Sequence, residues 1–294
     1  MPRFRLRPFG FVAGVVMAAC LASAAEAGAL GVVAAENFYG DVARQIGGAA
    51  VSVTSILENP NQDPHLFEAS PSVARAVAAA KIVVYSGIDY DPWMEKLLAA
   101  SPRERSVIVV AALIGRKTGD NPHIWYDPAT MRLFAERFAA VLSDADPADK
   151  AEFAANLARF EGSLAPIEAK ITALRARLAG TPVAATEPVF GEMFARLGMV
   201  VRDMAFQMAV MNDTEPAAKD VAAFESDLRQ HRVRLLVYNA QASDPAAEKM
   251  EKIAHAAGVP VVGASETEPP GEDYQHWMAA ELDAVDRALP ASHP

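Results

Sequence analysis

The apolar positions in the first half of the chain form short runs separated by stretches with helical spacing. Residues 71–80 and 92–100 have the length and spacing of helices, and Ser70 followed by Pro71 is a typical helix start. The apolar runs predict buried strands, and they lie at 30–35, 51–56, 81–86 and 106–111. Strands that alternate with helices in this way indicate a parallel sheet with right-handed crossovers.

The second half of the chain repeats this style without repeating the sequence. Its predicted strands lie at 182–186, 199–204, 233–239 and 259–264. Its predicted helices lie at 190–197, 215–230, 244–257 and 273–288. We therefore expect an α/β protein with two lobes of similar architecture, each built on a mainly parallel four-stranded sheet.

The clearest periodic pattern lies between the two halves. Its apolar residues are spaced alternately by four and by three, which forms one stripe on a helix. They are Phe153, Leu157, Phe160, Leu164, Ile167, Ile171, Leu174 and Leu178. The pattern predicts a helix over 147–179, roughly 50 Å long and with a candidate kink at Pro166. We interpret this helix as a connector packed across both lobes; a coiled-coil dimer is the alternative.

The N-terminus has the three parts of a secretory signal peptide. Basic residues in the first seven positions precede an apolar segment at 9–23 that is short for a membrane span. The sequence Ala-Glu-Ala at 25–27 is a small-x-small cleavage site. We expect removal of 1–27 and a periplasmic mature protein. Cys20 offers lipid attachment as an alternative, and no other cysteine is present for a disulfide, a metal or a nucleophile.

The length and net charge of the chain limit the number of domains and the classes of partner that we expect. The chain has 294 residues, more than one core usually needs, so two lobes are expected. We assign 28–127 to an N-terminal lobe, 128–180 to a helical connector and 181–294 to a C-terminal lobe. The net charge of −10 argues against nucleic acid as a partner, because phosphates require a basic surface.

Two of the six histidines occur in similar turns that contain proline. His65 lies in NQDPHLFEAS, 61–70, and His123 lies in DNPHIWYDPAT, 120–130. Each turn follows a predicted strand, and ligands of open α/β sheets bind beyond the carboxyl ends of strands. Either histidine alone is more typical of an ordinary turn. Because neutral imidazole is a common ligand of transition metals, the matching contexts favour a shared metal site.

Four longer segments resemble the cluster A-I solute-binding proteins of ABC importers for zinc and manganese. They are 32–48, 63–98, 122–128 and 259–278, and the resemblance covers nearly all of the mature chain. The Asp-Pro-His phrase combined with YSGIDYDPWMEKLL is specific only as a combination. The resemblance implies two α/β lobes joined by one long connecting helix, with a metal site in the cleft between the lobes.

The resemblance also implies two metal ligands from each lobe. It places them at His65, at His123, at Glu187 in TEPVFG and at Glu266 in ASETEPP. Many zinc-binding members have a histidine at the third position, so Glu187 resembles the manganese-binding branch. Glu268 is an alternative to Glu266. The alternative role of Glu187 is a charge at a helix N-terminus, and that of Glu266 is an exposed loop acid.

The ligand types leave the metal open between manganese and zinc. Two bidentate carboxylates would give six contacts, which suits Mn²⁺, whereas monodentate carboxylates would give a tetrahedron, which suits Zn²⁺. The intrinsic order of affinity favours zinc. The oxygen-rich set favours manganese, as does the short segment 114–123, which lacks the histidine-rich cluster of many zinc importers. Fe²⁺ is a third candidate.

The resemblance implies a periplasmic solute-binding protein that captures Mn²⁺ or Zn²⁺ and delivers it to an ABC permease and its ATPase. We expect a monomer that does not span the membrane, with a metallochaperone as a further candidate partner. We predict that it is not an enzyme, because a fourth protein ligand closes the position that catalytic zinc keeps open. A metal-dependent hydrolase and a surface adhesin of the same fold are the alternatives. Asp63, Glu68 and Asp127 are expected to orient turns or ligands.

Overall fold

The computed structural model of the protein describes Met1, residues 28–242 and residues 244–290. Apart from Met1, the predicted signal peptide with Cys20 and its cleavage site lies outside the described residues, as do 291–294 of the predicted C-terminal lobe. In the part of the chain that is described, none of the helices combines the length and apolar character needed to cross a bilayer.

The first four apolar runs form one sheet. Its strands are β1 (Leu30–Glu36), β2 (Val51–Leu57), β3 (Ile82–Tyr85) and β4 (Ser106–Val109). The helices that follow these strands are α1 (Asn37–Gly47), α2 (Pro71–Ala79), α3 (Pro92–Ala100) and α4 (Val110–Leu113). All pairings are parallel, in the order β2-β1-β3-β4, with Val32 opposite both Val53 and Ile82. The carboxyl ends of these strands therefore share one edge of the sheet.

Three helices connect the two halves of the molecule. They are α5 (Pro128–Ala145), α6 (Lys150–Ser163) and α7 (Ala165–Leu178). The apolar stripe is buried as predicted, except that Leu157 is partly exposed. The helix α6 packs against α1 and α5, whereas α7 packs against two helices of the second half, defined below as α8 and α12. The stripe therefore joins the two lobes within one chain.

The predicted single helix over 147–179 differs from the structure at two points. It begins at Lys150, because the Asp146 carboxylate accepts the N–H of Ala148 and holds the preceding residues in a turn. It is also interrupted at Leu164, and Pro166 lies in the first turn of α7. Proline has no N–H to continue the ladder of hydrogen bonds, but it is well tolerated in a first turn.

The second half forms a sheet with the same topology as the first. Its strands are β5 (Pro182–Ala185), β6 (Val200–Val201), β7 (Leu236–Asn239) and β8 (Val261–Ala264). The remaining helices are α8 (Gly191–Leu197), α9 (Met204–Met211), α10 (Ala218–Arg229), α11 (Pro245–Ala257) and α12 (Tyr274–Ala288). All pairings are parallel, in the order β6-β5-β7-β8. The prediction of two four-stranded parallel sheets is confirmed, while the exact lobe boundaries stay a prediction.

Strand β6 is much shorter than the 199–204 predicted for it. Asp203 has a left-handed backbone, with φ 57°, and helix α9 begins at the next residue. A left-handed residue cannot continue an extended strand, so the apolar run divides into an edge strand and a helix.

Aromatic residues fill the seam between the lobes. Phe38 stacks on Trp125 with ring centroids 4.6 Å apart, and Tyr126 contacts both Phe190 and Trp277. These side chains belong to one buried cluster that includes residues of both sheets. Buried aromatic side chains remove much apolar area from water, so this cluster stabilises the contact between the lobes and the turns that lie beside it.

Candidate metal site

His123 is held in a tautomer that leaves its Nε2 available to a metal ion. Its Nδ1 lies 2.7 Å from Oδ1 of Asn121, which also accepts the backbone N–H of His123. The Asn121 amide donates from Nδ2 to the carbonyl of Pro188, so its oxygen must face the ring. Nδ1 therefore carries the proton, and the lone pair is on Nε2. That Nε2 is buried and has no hydrogen-bond partner among the described residues.

His65 reaches the same place from the turn that follows strand β2. The Asp63 carboxylate accepts the backbone N–H of His65 at 2.8 Å and fixes this turn, as the sequence predicted. The ring of His65 packs edge-on against His123, with centroids 5.8 Å apart, and edge-on against Tyr90. Its Nε2 is a second buried nitrogen without a hydrogen bond in the described part of the chain.

Glu266 brings a carboxylate from the second lobe to both histidines. It follows β8 by two residues, and its Oε2 lies 3.4 Å from Nε2 of His65 and 3.3 Å from Nε2 of His123. Tyr90 donates its hydroxyl to the same oxygen at 2.8 Å. Atoms that could bind a metal, one from each of these two histidines and Glu266, all lie within 4.8 Å of one another.

Glu187 lies beside this group of three. It follows β5 by two residues and is 2% exposed. The side-chain amide of Asn239 donates to Oε2 of Glu187 at 3.2 Å and to Oε1 of Glu266 at 2.5 Å. The two acids from the second lobe are therefore joined through one buried amide.

Glu268 is buried in a different environment. Its backbone N–H and C=O both bind the Asn37 side chain at the start of α1. Burial, followed by the nearby charge of Asp41, raises the pKa of Glu268 to about 9. Of the two acids that the sequence left as alternatives, Glu266 is the one that lies against the histidines.

A family model for ZnuA, described as the periplasmic component A of a zinc-uptake complex, matches residues 32–288. The chain belongs to the ZnuA family.

Individual relatives of this ZnuA-family chain agree with that assignment. The manganese ABC transporter substrate-binding lipoprotein PsaA of Streptococcus mitis is 22% identical over 304 residues, which covers 95% of this chain and 96% of PsaA. The metal ABC transporter substrate-binding lipoprotein ScbA of Streptococcus cristatus is 26% identical over 186 residues, which covers 57% of this chain and 60% of ScbA.

A solved structure supports the fold of this ZnuA-family chain. The periplasmic zinc-binding protein TroA of Treponema pallidum has a TM-score of 0.75 at 17% identity, with 88% of this chain and 99% of TroA covered. The two-lobed α/β fold expected from the sequence is thereby confirmed.

The electrostatics of the site divide the histidines into one charged and one neutral ring. Burial lowers the pKa of His65, but Glu266 and then Glu187 outweigh burial and raise it to about 9. Complete burial lowers the pKa of His123 and outweighs the attraction of Glu266. A proton on His65 therefore supplies positive charge that a divalent cation at the same place would replace.

The carboxylates of the site also differ from each other. Burial alone would raise the pKa of Glu266, but the charge on His65 and the contacts with both histidine rings hold it well below its usual range. Burial, followed by the charge of Glu266, raises the pKa of Glu187 to about 7. Glu266 is thus held in its anionic form, whereas Glu187 changes its charge near neutral pH.

Sequence analysis missed three residues that orient the candidate ligands. Tyr90 binds Glu266, and Asn121 binds His123. Asn239 binds both Glu187 and Glu266. Asn239 is the last residue of β7, so the preference of ligands for the carboxyl ends of strands was a signal that could have found it. Among the predicted orienting residues, Asp127 accepts the N–H of Ala129, whereas Glu68 is exposed.

Proposed function

We propose that this protein captures a divalent transition-metal ion, Mn²⁺ or Zn²⁺, and delivers it to the membrane permease of an ABC importer. The observation that carries the proposal is the convergence of two buried imidazole nitrogens with a buried carboxylate from the other lobe. Membership of the ZnuA family supports uptake, and relatives such as PsaA are named as components of metal transporters.

We propose His65, His123, Glu187 and Glu266 as the ligands of the ion. Two neutral imidazoles and two carboxylates neutralise a divalent cation, which favours retention of the ion in a buried site. His123 already presents a lone pair, and His65 loses one proton when the ion enters. Of these four residues, His65 has the most exposed side chain, at 18%, so the ion enters beside it.

The proposed transport role implies particular partners and a location outside the inner membrane. We propose that the protein works with a permease and its ATPase, as a monomer, after export directed by residues 1–27. Lipid attachment at Cys20 is the alternative way of retaining the protein at the membrane, and the relatives PsaA and ScbA are both named lipoproteins. A metallochaperone is a further candidate partner.

The burial of the site favours binding over catalysis. A hydrolytic metal centre needs an open coordination position and room for a substrate. His123, Glu187 and Glu266 are each at most 2% exposed, so the site suits a bare ion better than a substrate. The family model describes an uptake component, which also favours transport over adhesion.

Calorimetric titration of metal-stripped protein, residues 28–294, tests the proposal. We expect submicromolar binding of Mn²⁺ or Zn²⁺ with one ion per chain, and loss of that binding in His123→Ala. Failure of both ions to bind more tightly than micromolar would refute the function.

Exchange of Glu187 for histidine tests the fourth ligand separately. Glu187→His replaces a carboxylate by an imidazole, so we expect the ratio of zinc affinity to manganese affinity to rise. The measurement is competition between the two ions on wild-type protein and variant. An unchanged ratio removes Glu187 from the ligand set without affecting the other three.

A further inference from the structure

Asn239 lies between the two acids because of the order of the strands. It is the last residue of β7, and β7 is flanked in the sheet by β5 and β8. Glu187 and Glu266 each lie two residues beyond one of those flanking strands. Asn239 is 3% exposed, so its amide must find its partners inside the protein.

The orientation of the Asn239 amide is fixed by the backbone. Its Oδ1 accepts the N–H of Gln241 at 2.9 Å, which leaves Nδ2 facing the acids. An amide nitrogen has two N–H groups, and here one reaches Oε2 of Glu187 and the other reaches Oε1 of Glu266. Each carboxylate therefore has one oxygen committed to Asn239.

The remaining oxygens are the ones available to a cation. Oε2 of Glu266 faces both histidine nitrogens and also accepts the Tyr90 hydroxyl, which leaves it a second lone pair for a cation. Oε1 is the oxygen of Glu187 that does not bind Asn239. For either acid to bind an ion through both oxygens, the cation would have to approach the oxygen that holds an N–H of Asn239. A cation at that oxygen would compete with the buried N–H for it, and a weakened buried hydrogen bond is unfavourable, so each carboxylate binds most favourably through the oxygen that Asn239 leaves free.

We infer that Asn239 is a positioning residue that holds both carboxylates monodentate and so selects zinc over manganese. This inference rests on the proposed function and on the proposed ligands. Two nitrogens and two single oxygens form the four-coordinate set that Zn²⁺ prefers, whereas Mn²⁺ prefers more oxygen contacts. The oxygen-rich composition of the set favoured manganese at the level of sequence; the contacts of Asn239 favour zinc.

Co²⁺ is a suitable probe because its visible absorption is intense in four-coordinate sites and weak in six-coordinate sites. We expect intense absorption from wild-type protein and weak absorption from Asn239→Ala, in which both carboxylates can bind through two oxygens. In competition experiments, we expect the ratio of zinc affinity to manganese affinity to fall at least about tenfold in the variant.

Asn156→Ala is a matched control for this substitution. Asn156 is also 3% exposed and also donates a buried amide N–H, but to the carbonyl of Ile46 in the first lobe. We expect its Co²⁺ spectrum and its zinc-to-manganese ratio to equal those of wild-type protein. Circular dichroism of both variants establishes that they are folded.

X-ray absorption spectra of the wild-type Zn²⁺ and Co²⁺ complexes give the coordination number without any variant. Four nitrogen and oxygen neighbours support the inference, and six with bidentate carboxylates overturn it. It is equally overturned if Asn239→Ala keeps the wild-type spectrum and affinity ratio. Failure of wild-type protein to bind any of these ions refutes the proposed function as well, so the two failures are distinguishable.

Discussion

At the scale of single residues, asparagine amides determine how the proposed ligands are presented. Asn121 binds the His123 ring through its oxygen and, through its nitrogen, the carbonyl of Pro188 beside Glu187. One side chain thus sets the tautomer of a proposed ligand from the first lobe and contacts the turn that carries a proposed ligand from the second lobe. Because the amide nitrogen of Asn121 is bound to a carbonyl, its oxygen can only face the ring, and the ring is oriented by that oxygen.

Removal of the Asn121 amide should weaken metal binding without removing a ligand. We expect Asn121→Ala to lower the affinity for Zn²⁺ or Mn²⁺ by about 10–100-fold, because the His123 ring loses the partner that fixes its tautomer. Calorimetric titration measures the change. Asn156→Ala, which loses a buried amide far along the chain from the ligands, should bind as wild-type protein does; equal losses in both variants would contradict the assigned role.

Metal binding should release protons, and it should weaken as the pH falls. The His65 pKa of about 9 means that metal-free protein carries this proton at neutral pH, and Glu187, with a pKa of about 7, gains a second proton below neutrality. We expect release of about one proton per ion at pH 8 and about two at pH 6. Titrations in buffers with different ionisation enthalpies measure this number, and heats independent of the buffer would contradict it.

The raised pKa of His65 makes the metal-free protein less stable at high pH, whereas metal binding becomes stronger there. The pKa of His65 in the folded protein lies above its ordinary value of 6.5. Its charged form therefore stabilises the fold fully below pH 6.5, and this contribution is lost as the pH rises through about 9. Metal-free protein loses this stabilisation in the pH range where metal binding gains strength.

At the scale of elements, the connector and the strand ends have separate tasks. The helices α6 and α7 bury their apolar stripe against different lobes, whereas the turns after β2, β5 and β8 carry proposed ligands. A substitution in the stripe should therefore change the stability of the fold and leave the ligands in place.

Phe160 is the residue of α6 that tests this separation. It is 2% exposed, so Phe160→Ala should lower the free energy of unfolding by about 3–5 kcal/mol through lost burial and a cavity. Leu157→Ala should cost less, because Leu157 is already partly exposed. Denaturant unfolding measures both, and calorimetry of the folded variants should show unchanged metal affinity. Equal costs for the two substitutions would contradict the assigned packing.

Most elements were predictable because their signals are local. Continuous apolar runs predict buried strands, and they located all eight strands of the two described sheets, although six of them, β3 to β8, proved shorter than predicted. The break at Leu164 was harder to predict. The apolar spacing continues through it, and Pro166 is compatible either with a kink in one helix or with the start of a new one.

At the scale of the whole molecule, the proposed ligands join the lobes. His65 and His123 come from the first half and meet Glu266 from the second, and Gln241 adds a bond from the second half to the carbonyl of Gln62. An ion bound by residues of both halves stabilises the folded molecule and not the unfolded chain.

Thermal unfolding should therefore respond strongly to the ion. At a free metal concentration of one hundred times Kd, linkage adds about 2.7 kcal/mol. For a chain of this size, that free energy corresponds to a rise in Tm of roughly 5–10 °C. A chelator should reverse the rise, and His123→Ala should show none; a Tm of wild-type protein that is independent of metal would contradict binding between the lobes.

The sequence by itself determined the strands, the apolar stripe and the two histidine turns, because burial, helix starts and turn chemistry are encoded over a few neighbouring residues. It also carried the resemblance that added Glu187 and Glu266 as candidate ligands. Only the tertiary structure decided that Glu266 and not Glu268 faces the histidines, and that Asn239 binds both acids. Those contacts join residues from separate strands, and the order of strands in a sheet depends on the packing of the whole chain rather than on any local pattern.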